Sequence, residues 1–169
     1  MLDTKDFSRR TICFPYKDEK IILGMKLEGF GVGKYNGFGG KFDAKKGDKV
    51  IEDAAIRELG EESVLIGKIS DLEKRAVIDF VFPAKPAYNQ RVHVYFLSKW
   101  NGNPKRTKEM DPAIFDKNDV PYDKMWDSDK LWLPQLLDGK SFYATFYWED
   151  DNETVAKYSI EYTTKLDDW

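Results

Sequence analysis

The 169 residues hold a single cysteine and a single histidine. Cys13 on its own excludes an intrachain disulfide and a zinc-finger ligand set. His93 on its own excludes the paired-histidine metalloprotease motif. Long apolar runs are missing as well: stretches such as Ile21-Ile22-Leu23 fall far short of the roughly 20 residues that cross a bilayer. Met1 to Arg10 are polar and charged, with no apolar signal core. Neither sign of charge prevails, since 27 Lys and Arg face 30 Asp and Glu for a net −3. Such a chain grips long nucleic acid poorly. The expectation is a soluble cytoplasmic protein that binds neither membrane nor long nucleic acid, as a monomer or weak dimer.

Hydrophobic residues make up 41% and aromatics 15% of the chain, enough for a core without covalent or metal staples. No repeat, low-complexity tract or long linker divides it, so residues 1–169 read as a single domain. Arg10 to Tyr16 and Lys20 to Leu27 read as neighbouring strands around the turn Lys17-Asp18-Glu19. Six glycines crowd the loop from Glu28 to Gly40, which implies tight turns or a close backbone approach. Val50 to Val64 reads as a helix, with Asp48 as its N-cap or first-turn acid. Ile56, Leu59 and Ser63 form a short stripe for packing on a sheet. Further strands are expected at Arg75 to Phe82, Arg91 to Lys99 and Ala113 to Phe115, and a second helix at Ser128 to Leu137. A closing hairpin pairs Ser141 to Trp148 with Thr154 to Thr163. The acidic tail Leu166 to Trp169 reads as a frayed end. The fold class is an α+β or α/β sandwich with a mixed sheet.

Glu58, Glu61 and Glu62 lie at i, i+3 and i+4 of the first helix, so they are expected on one face. Left alone they repel one another and raise each other's pKa values. A hard divalent cation removes that repulsion, and oxygen ligands suit magnesium, which also takes up substrate phosphates. A glutamate-rich turn by itself is ordinary solvated charge. Asn36-Gly37-Phe38-Gly39-Gly40-Lys41, directly upstream, adds exposed backbone amides and carbonyls beside it. Other phosphate motifs are missing: there is no Gly-x-x-x-x-Gly-Lys-Ser/Thr loop and no Gly-x-Gly-x-x-Gly. His93, within Val92-His93-Val94-Tyr95-Phe96, reads as a structural strand residue.

Gly40 through Leu65, with its core Arg57-Glu58-x-x-Glu61-Glu62, resembles the loop–helix–loop box of the Nudix hydrolases. The resemblance extends in order through Leu23-Gly24-Met25-Lys26, Gly29-Phe30-Gly31, Asn36 to Lys41, Glu109-Met110, Met125-Trp126 and Trp132-Leu133-Pro134. It covers about Arg10 to Thr163, and it points to the branch that acts on oxidised purine nucleotides. The fold it implies is the Nudix α/β/α sandwich. The activity it implies is magnesium-dependent hydrolysis of triphosphates such as 8-oxo-dGTP or 2-hydroxy-dATP to monophosphate and pyrophosphate, with manganese as an alternative to magnesium. Such an enzyme of the MutT type cleans the nucleotide pool and so serves DNA repair. Other readings are hydrolysis of an unmodified dNTP or another nucleoside diphosphate derivative, or nucleotide sensing without turnover.

By that resemblance Glu58, Glu61, Glu62 and Glu109 hold the metal with the carbonyl of Gly39, and Arg57 orients Glu58. Thr11, Lys26, Phe30, Asn36, Phe38, Gly39, Gly40, Lys41, Trp126, Ser128 and Asp129 bind substrate. The chain also departs from the family. About three residues are inserted around Lys45 to Lys49, leaving Lys49 where an acid is expected and Asp48 beside it. Val64 stands where a glycine is expected. Ser128 replaces the first of two acids after Trp126, which implies a narrower or shifted base preference, and Ile78 replaces an aromatic residue of the pocket.

Overall fold

The computed structural model describes residues 2–167. Met1, Asp168 and Trp169 lie outside the described residues, and with them the ends of the expected single domain. Within the acidic tail, Asp167 is held in place: its N–H donates to Tyr143 Oη (2.7 Å) and its carbonyl accepts from Lys74 Nζ (3.0 Å).

β1 (Ser8–Lys17) turns into β2 (Lys20–Lys26) through Asp18 and Glu19, both at positive φ (53° and 65°). That two-residue geometry matches the twist of paired strands. The two strands share only the pairs Tyr16↔Ile21 and Lys17↔Lys20. β1 then runs parallel to β5 (Gln90–Leu97) over the whole span Ser8↔Gln90 to Pro15↔Leu97. β5 lies antiparallel to β4 (Leu72–Val81), β4 parallel to β7 (Phe142–Trp148), and β7 antiparallel to β8 (Val155–Tyr162). β6 (Met110–Asp116) is longer than the expected 113–115 strand and covers one edge of β2. The other edge of β2 also takes β3 (Tyr35–Asn36), a strand the glycine-rich loop conceals.

Alternation along the central strands sorts the core into two faces. Cys13, Tyr95 and Leu97 meet α1 (Ile51–Ser63) through Ile51, Ala55 and Leu59. Phe14, Ile78, Phe80, Phe96 and Phe146 meet α2 (Asp129–Leu137) through Trp132, Leu133 and Leu136. A mixed sheet with a helix on each face is the α/β/α sandwich that was expected. Among the described residues no helix is long and apolar enough to cross a membrane.

Two local expectations about α1 are corrected. Asp48 does not cap the helix; the Asp53 carboxylate reaches back to the N–H groups of Lys49 (2.8 Å) and Val50 (3.0 Å) instead. Ile56 is not on the packing stripe, because the buried face runs through Ile51, Ala54, Ala55, Glu58, Leu59, Glu62 and Ser63. Two glutamates therefore share the inward face of α1 with its aliphatic residues, which requires partners for their charge.

Candidate active site

The helix hands its carboxylates out unequally. Glu58 and Glu62 are buried, with 9% and 1% of their surface exposed, whereas Glu61 has a side chain 40% exposed. The three stay neighbours on the helix, with one guanidinium touching both Glu58 and Glu61, but they differ in burial. Against the buried pair runs the backbone of Gly37 to Gly40, pinned to β1 by reciprocal bonds between Phe38 and Cys13 and by Thr11 N–H to the Gly40 carbonyl (2.9 Å). All three glycines of this stretch leave no room for a Cβ without movement, and the contact at Gly39 is with backbone. A Cβ on Gly39 would lie 1.8 Å from the Thr11 carbonyl oxygen, and one on Gly40 would lie 2.5 Å from Glu58 Oε1. The close approach leaves the Gly39 N–H free to donate to Glu62 Oε1 at 2.8 Å.

Cations organise the carboxylates. Arg57 donates from Nε and Nη2 to the two oxygens of Asp48 (3.0 and 2.8 Å), from Nη1 to Glu58 Oε1 (2.8 Å), and from Nη2 to the Lys41 carbonyl (3.1 Å). Glu61 lies within 3.4 Å of the same guanidinium. Asp48, not Lys49, is therefore the acid that faces Arg57, and the inserted residues are absorbed in a single 3₁₀ turn, Ala44–Lys46, closed by Gly47 at φ 97°. The guanidinium holds the Asp48 carboxyl below the usual carboxylate range. Lys26 Nζ stands 3.4 Å from Glu62 Oε2 and 3.9 Å from Glu109 Oε2. Burial, reinforced by the negative charge of Glu58, pushes Glu62 up to about 7 despite Lys26 and the Gly39 N–H.

Among the described residues no three acidic, histidine or cysteine side chains are gathered closely enough to hold a metal ion. The expected set of Glu58, Glu61, Glu62 and Glu109 is drawn apart, two towards Arg57 and two towards Lys26. The donor chemistry nevertheless fits a hard cation. Glu58 and Glu62 are buried neighbours whose charges oppose each other, and Gly40 keeps side-chain bulk away from Glu58.

Between this cluster and α2 opens a cavity of about 260 Å³. Thr11, Lys26, Phe30, Asn36, Gly39, Gly40, Trp126, Ser128 and Asp129 line it together with Glu62. Arg57, Glu58, Glu61 and Glu109 do not. Phe38 is corrected: it is fully buried on the opposite face of the sheet with Cys13 and Leu59, because its pairing with Cys13 turns the ring towards α1. Lys41 is also absent from this cavity and lines an adjoining basin of about 530 Å³. Ile78 lies wholly in the core, so the absence of an aromatic ring there does not touch the cavity wall. The aromatic wall is formed by Phe80 on β4, Phe82 just past its end and Trp148 on β7, none of them among the expected pocket residues. The period-two runs 78-80-82 and 142-144-146-148 carried that signal.

At the closed end, Asp129 is almost fully buried. Its Oδ1 accepts from Ser128 Oγ (3.3 Å), while Oδ2 makes no hydrogen bond of good geometry, the nearby Trp132 indole N–H only easing the cost of its charge. Burial pushes this carboxyl up to about 7. Asp127 turns away, bonding Lys130 Nζ (2.6 Å) and the Val155 N–H (2.9 Å). Trp126 stacks against Phe30 (centroids 5.0 Å apart, 27°) and meets Trp148 edge-on at 5.6 Å. Asn36 Oδ1 accepts from the Gly37 N–H, leaving its amide donors unspent. His93 is a fully buried strand residue away from the cavity.

A loop–helix–loop of this kind on an α/β/α sandwich defines the Nudix class, and the Nudix domain family matches residues 7–136. The chain belongs to that family, whose hydrolases generally need a divalent metal. It is similar to the oxidized purine nucleoside triphosphate hydrolase of Mus musculus, 37% identical over 150 residues that cover 89% of this chain and 92% of the mouse protein. The protein of that name from Danio rerio is also 37% identical, over 151 residues, with the same coverage. Among solved structures, the MutT protein of Bacillus halodurans superimposes with a TM-score of 0.77 at 21% identity, covering 91% of this chain and 97% of its own, a likeness of fold.

Proposed function

We propose that this chain hydrolyses oxidised purine nucleoside triphosphates, 8-oxo-dGTP and 2-hydroxy-dATP among them, to the nucleoside monophosphate and pyrophosphate, with magnesium or manganese as the metal. The observation that carries the reading is one cleft with two chemistries. A buried acid with an open oxygen, Asp129 Oδ2, stands among aromatic rings at one end, and Glu62 with the Gly39–Gly40 backbone stands at the other. The vertebrate relatives that match 89% of the chain carry the name of this activity.

Glu58, Glu61 and Glu62 would hold the metal, with Glu109 and the Gly39 carbonyl completing the set. When bound, the cation neutralises the phosphate chain and makes a nucleophile of coordinated water. The chain's own residues do the rest. Arg57 turns Glu58 inward, and the Gly39 N–H fixes Glu62. Trp126 and Phe30 provide flat faces for a purine, and the Asn36 amide offers donors to its edge. With burial pushing its carboxyl up to about 7, Asp129 holds a proton below that pH and loses it above, so the carboxyl can donate to or accept from an altered base.

Ser128 contributes a hydroxyl already committed to Asp129, which leaves one titrating acid to read the base. That favours a narrower base range than two acids would allow, and Ser128→Asp should widen or shift the profile. The reaction itself is tested by product analysis. Wild type should release monophosphate and pyrophosphate with magnesium and nothing with a chelator, and Glu62→Gln should be inert. Release of orthophosphate and a nucleoside diphosphate, or turnover without metal, would contradict the reading.

A further inference from the structure

Resting on the hydrolase reading above, we infer that Arg10 is a substrate-binding residue whose guanidinium holds the phosphate chain. A triphosphate carries several negative charges, yet the two cations that touch the buried glutamates are already engaged by them. Arg57 is saturated by Asp48, Glu58, Glu61 and the Lys41 carbonyl. Lys26 is shared between Glu62 and Glu109. Arg10 is different. Among the described residues it makes no ion pair, and its buried Nε has no hydrogen-bond partner.

Its position follows from the backbone. Thr11 N–H bonds Gly40, Phe42 N–H bonds Arg9, and Arg10 pairs with Lys41, so the start of β1 lies against the loop that carries Gly39 and Gly40. Arg10 shares with Ile12 the strand face that lines the cavity, and it feels the charge of Glu58 from there. It also lines the adjoining basin, beside Lys34 and Lys41. Arg10 thus lines both spaces, and its backbone is paired with the Gly40–Lys41 segment that runs beside the glutamates, which puts its guanidinium within the cleft where the phosphates of a bound triphosphate must approach the carboxylate cluster. Its planar donors suit non-bridging phosphate oxygens. Among the described residues no group accepts from Arg10 Nε, so a phosphate oxygen would satisfy that buried donor.

The test compares wild type, Arg10→Gln and Arg10→Lys for metal-free binding of 8-oxo-dGTP and of its nucleoside, 8-oxo-2′-deoxyguanosine, by calorimetry, alongside kcat and KM with magnesium. Arg10→Gln should weaken triphosphate binding roughly 10- to 100-fold, the loss of a charge-assisted contact, and leave the nucleoside within about twofold. KM should rise more than kcat falls. Arg10→Lys, the milder change, should bind the triphosphate between the two and the nucleoside like wild type. Equal losses for both ligands, unchanged triphosphate binding in either variant, or a wild type that binds both ligands equally would overturn the inference. Turnover by wild type with Arg10-independent binding defeats this inference alone. Arg10-dependent binding of the triphosphate without turnover defeats the hydrolase reading alone.

Discussion

Asp129→Asn converts the closed end of the cavity into a measurement. The unfolded chain ionises this carboxyl near the ordinary 3.8, whereas in the fold burial holds it protonated to about 7. Between those values the folded state binds the extra proton, so stability falls as pH rises through the window and levels off above it. The separation corresponds to a loss on the order of 4 kcal/mol between pH 4 and pH 8. Water reaching the cavity softens that figure, and about 2–4 kcal/mol is the range to expect. Asparagine has the same shape, accepts from Ser128 Oγ as Asp129 Oδ1 does, and never ionises. Urea denaturation of both proteins from pH 4 to pH 8 should give curves that meet at the acid end and diverge upwards, the asparagine variant being the more stable at pH 8. Glu62 and His93 titrate alike in both proteins and drop out of the difference. A gap independent of pH would refute the claim that Asp129 is neutral in the folded protein near pH 6.

Val64 ends α1 at φ 70°, a left-handed position that a β-branched residue adopts only under strain, and its side chain is exposed. Val64→Gly should therefore stabilise the fold by about 1 kcal/mol and raise Tm by about 2–4 °C in a thermal melt. Gly39→Ala should do the reverse, because its methyl meets the Thr11 carbonyl and displaces the loop from Glu62. A loss of roughly 100-fold or more in kcat/KM is expected from such a displacement, with a lowered Tm. His93 is held neutral down to about 3 by burial, below its unfolded 6.5. The unfolded chain thus binds the extra proton between those values, and stability falls as pH drops through them. His93→Leu removes nitrogens that have no partners, so it should be near neutral at pH 7 and gain about 2–3 kcal/mol on wild type by pH 4 in denaturant titrations.

The sheet and both helices were legible because their apolar residues alternate or cluster at the period of the element they form. Phe142, Ala144, Phe146 and Trp148 are one such run. β3 was not, since Tyr35–Asn36 owes its strand to pairing with β2 across a glycine-rich turn and has no pattern of its own. The acidic helix advertised the carboxylates, but helical spacing alone does not show which way each one turns. Arg57 and Lys26 decide that, from i−1 and from another strand. The role of Asp48 was half legible: its charge beside an insertion was noticed, and its grip on Arg57 depends on a 3₁₀ turn that no local pattern announces. The inward turn of Phe38 is not legible, because its loop neighbours line the cavity while a single bridge to Cys13 turns its own ring the other way. Arg10 escaped notice for the opposite reason, as one cation in the pair Arg9-Arg10 that only the strand register separates.

Steady-state comparison of kcat/KM for 8-oxo-dGTP, 2-hydroxy-dATP, dGTP, dATP and ADP-ribose, in magnesium and with a Glu61→Gln, Glu62→Gln double variant as blank, bears most directly on the central claim. An oxidised purine triphosphate should be preferred over its unmodified parent by at least about 10-fold, the discrimination one well-placed polar contact supplies. Its products should be the monophosphate and pyrophosphate, and the double variant should be silent. Equal turnover of oxidised and unmodified purines, preference for ADP-ribose, or full activity in the double variant would contradict the account.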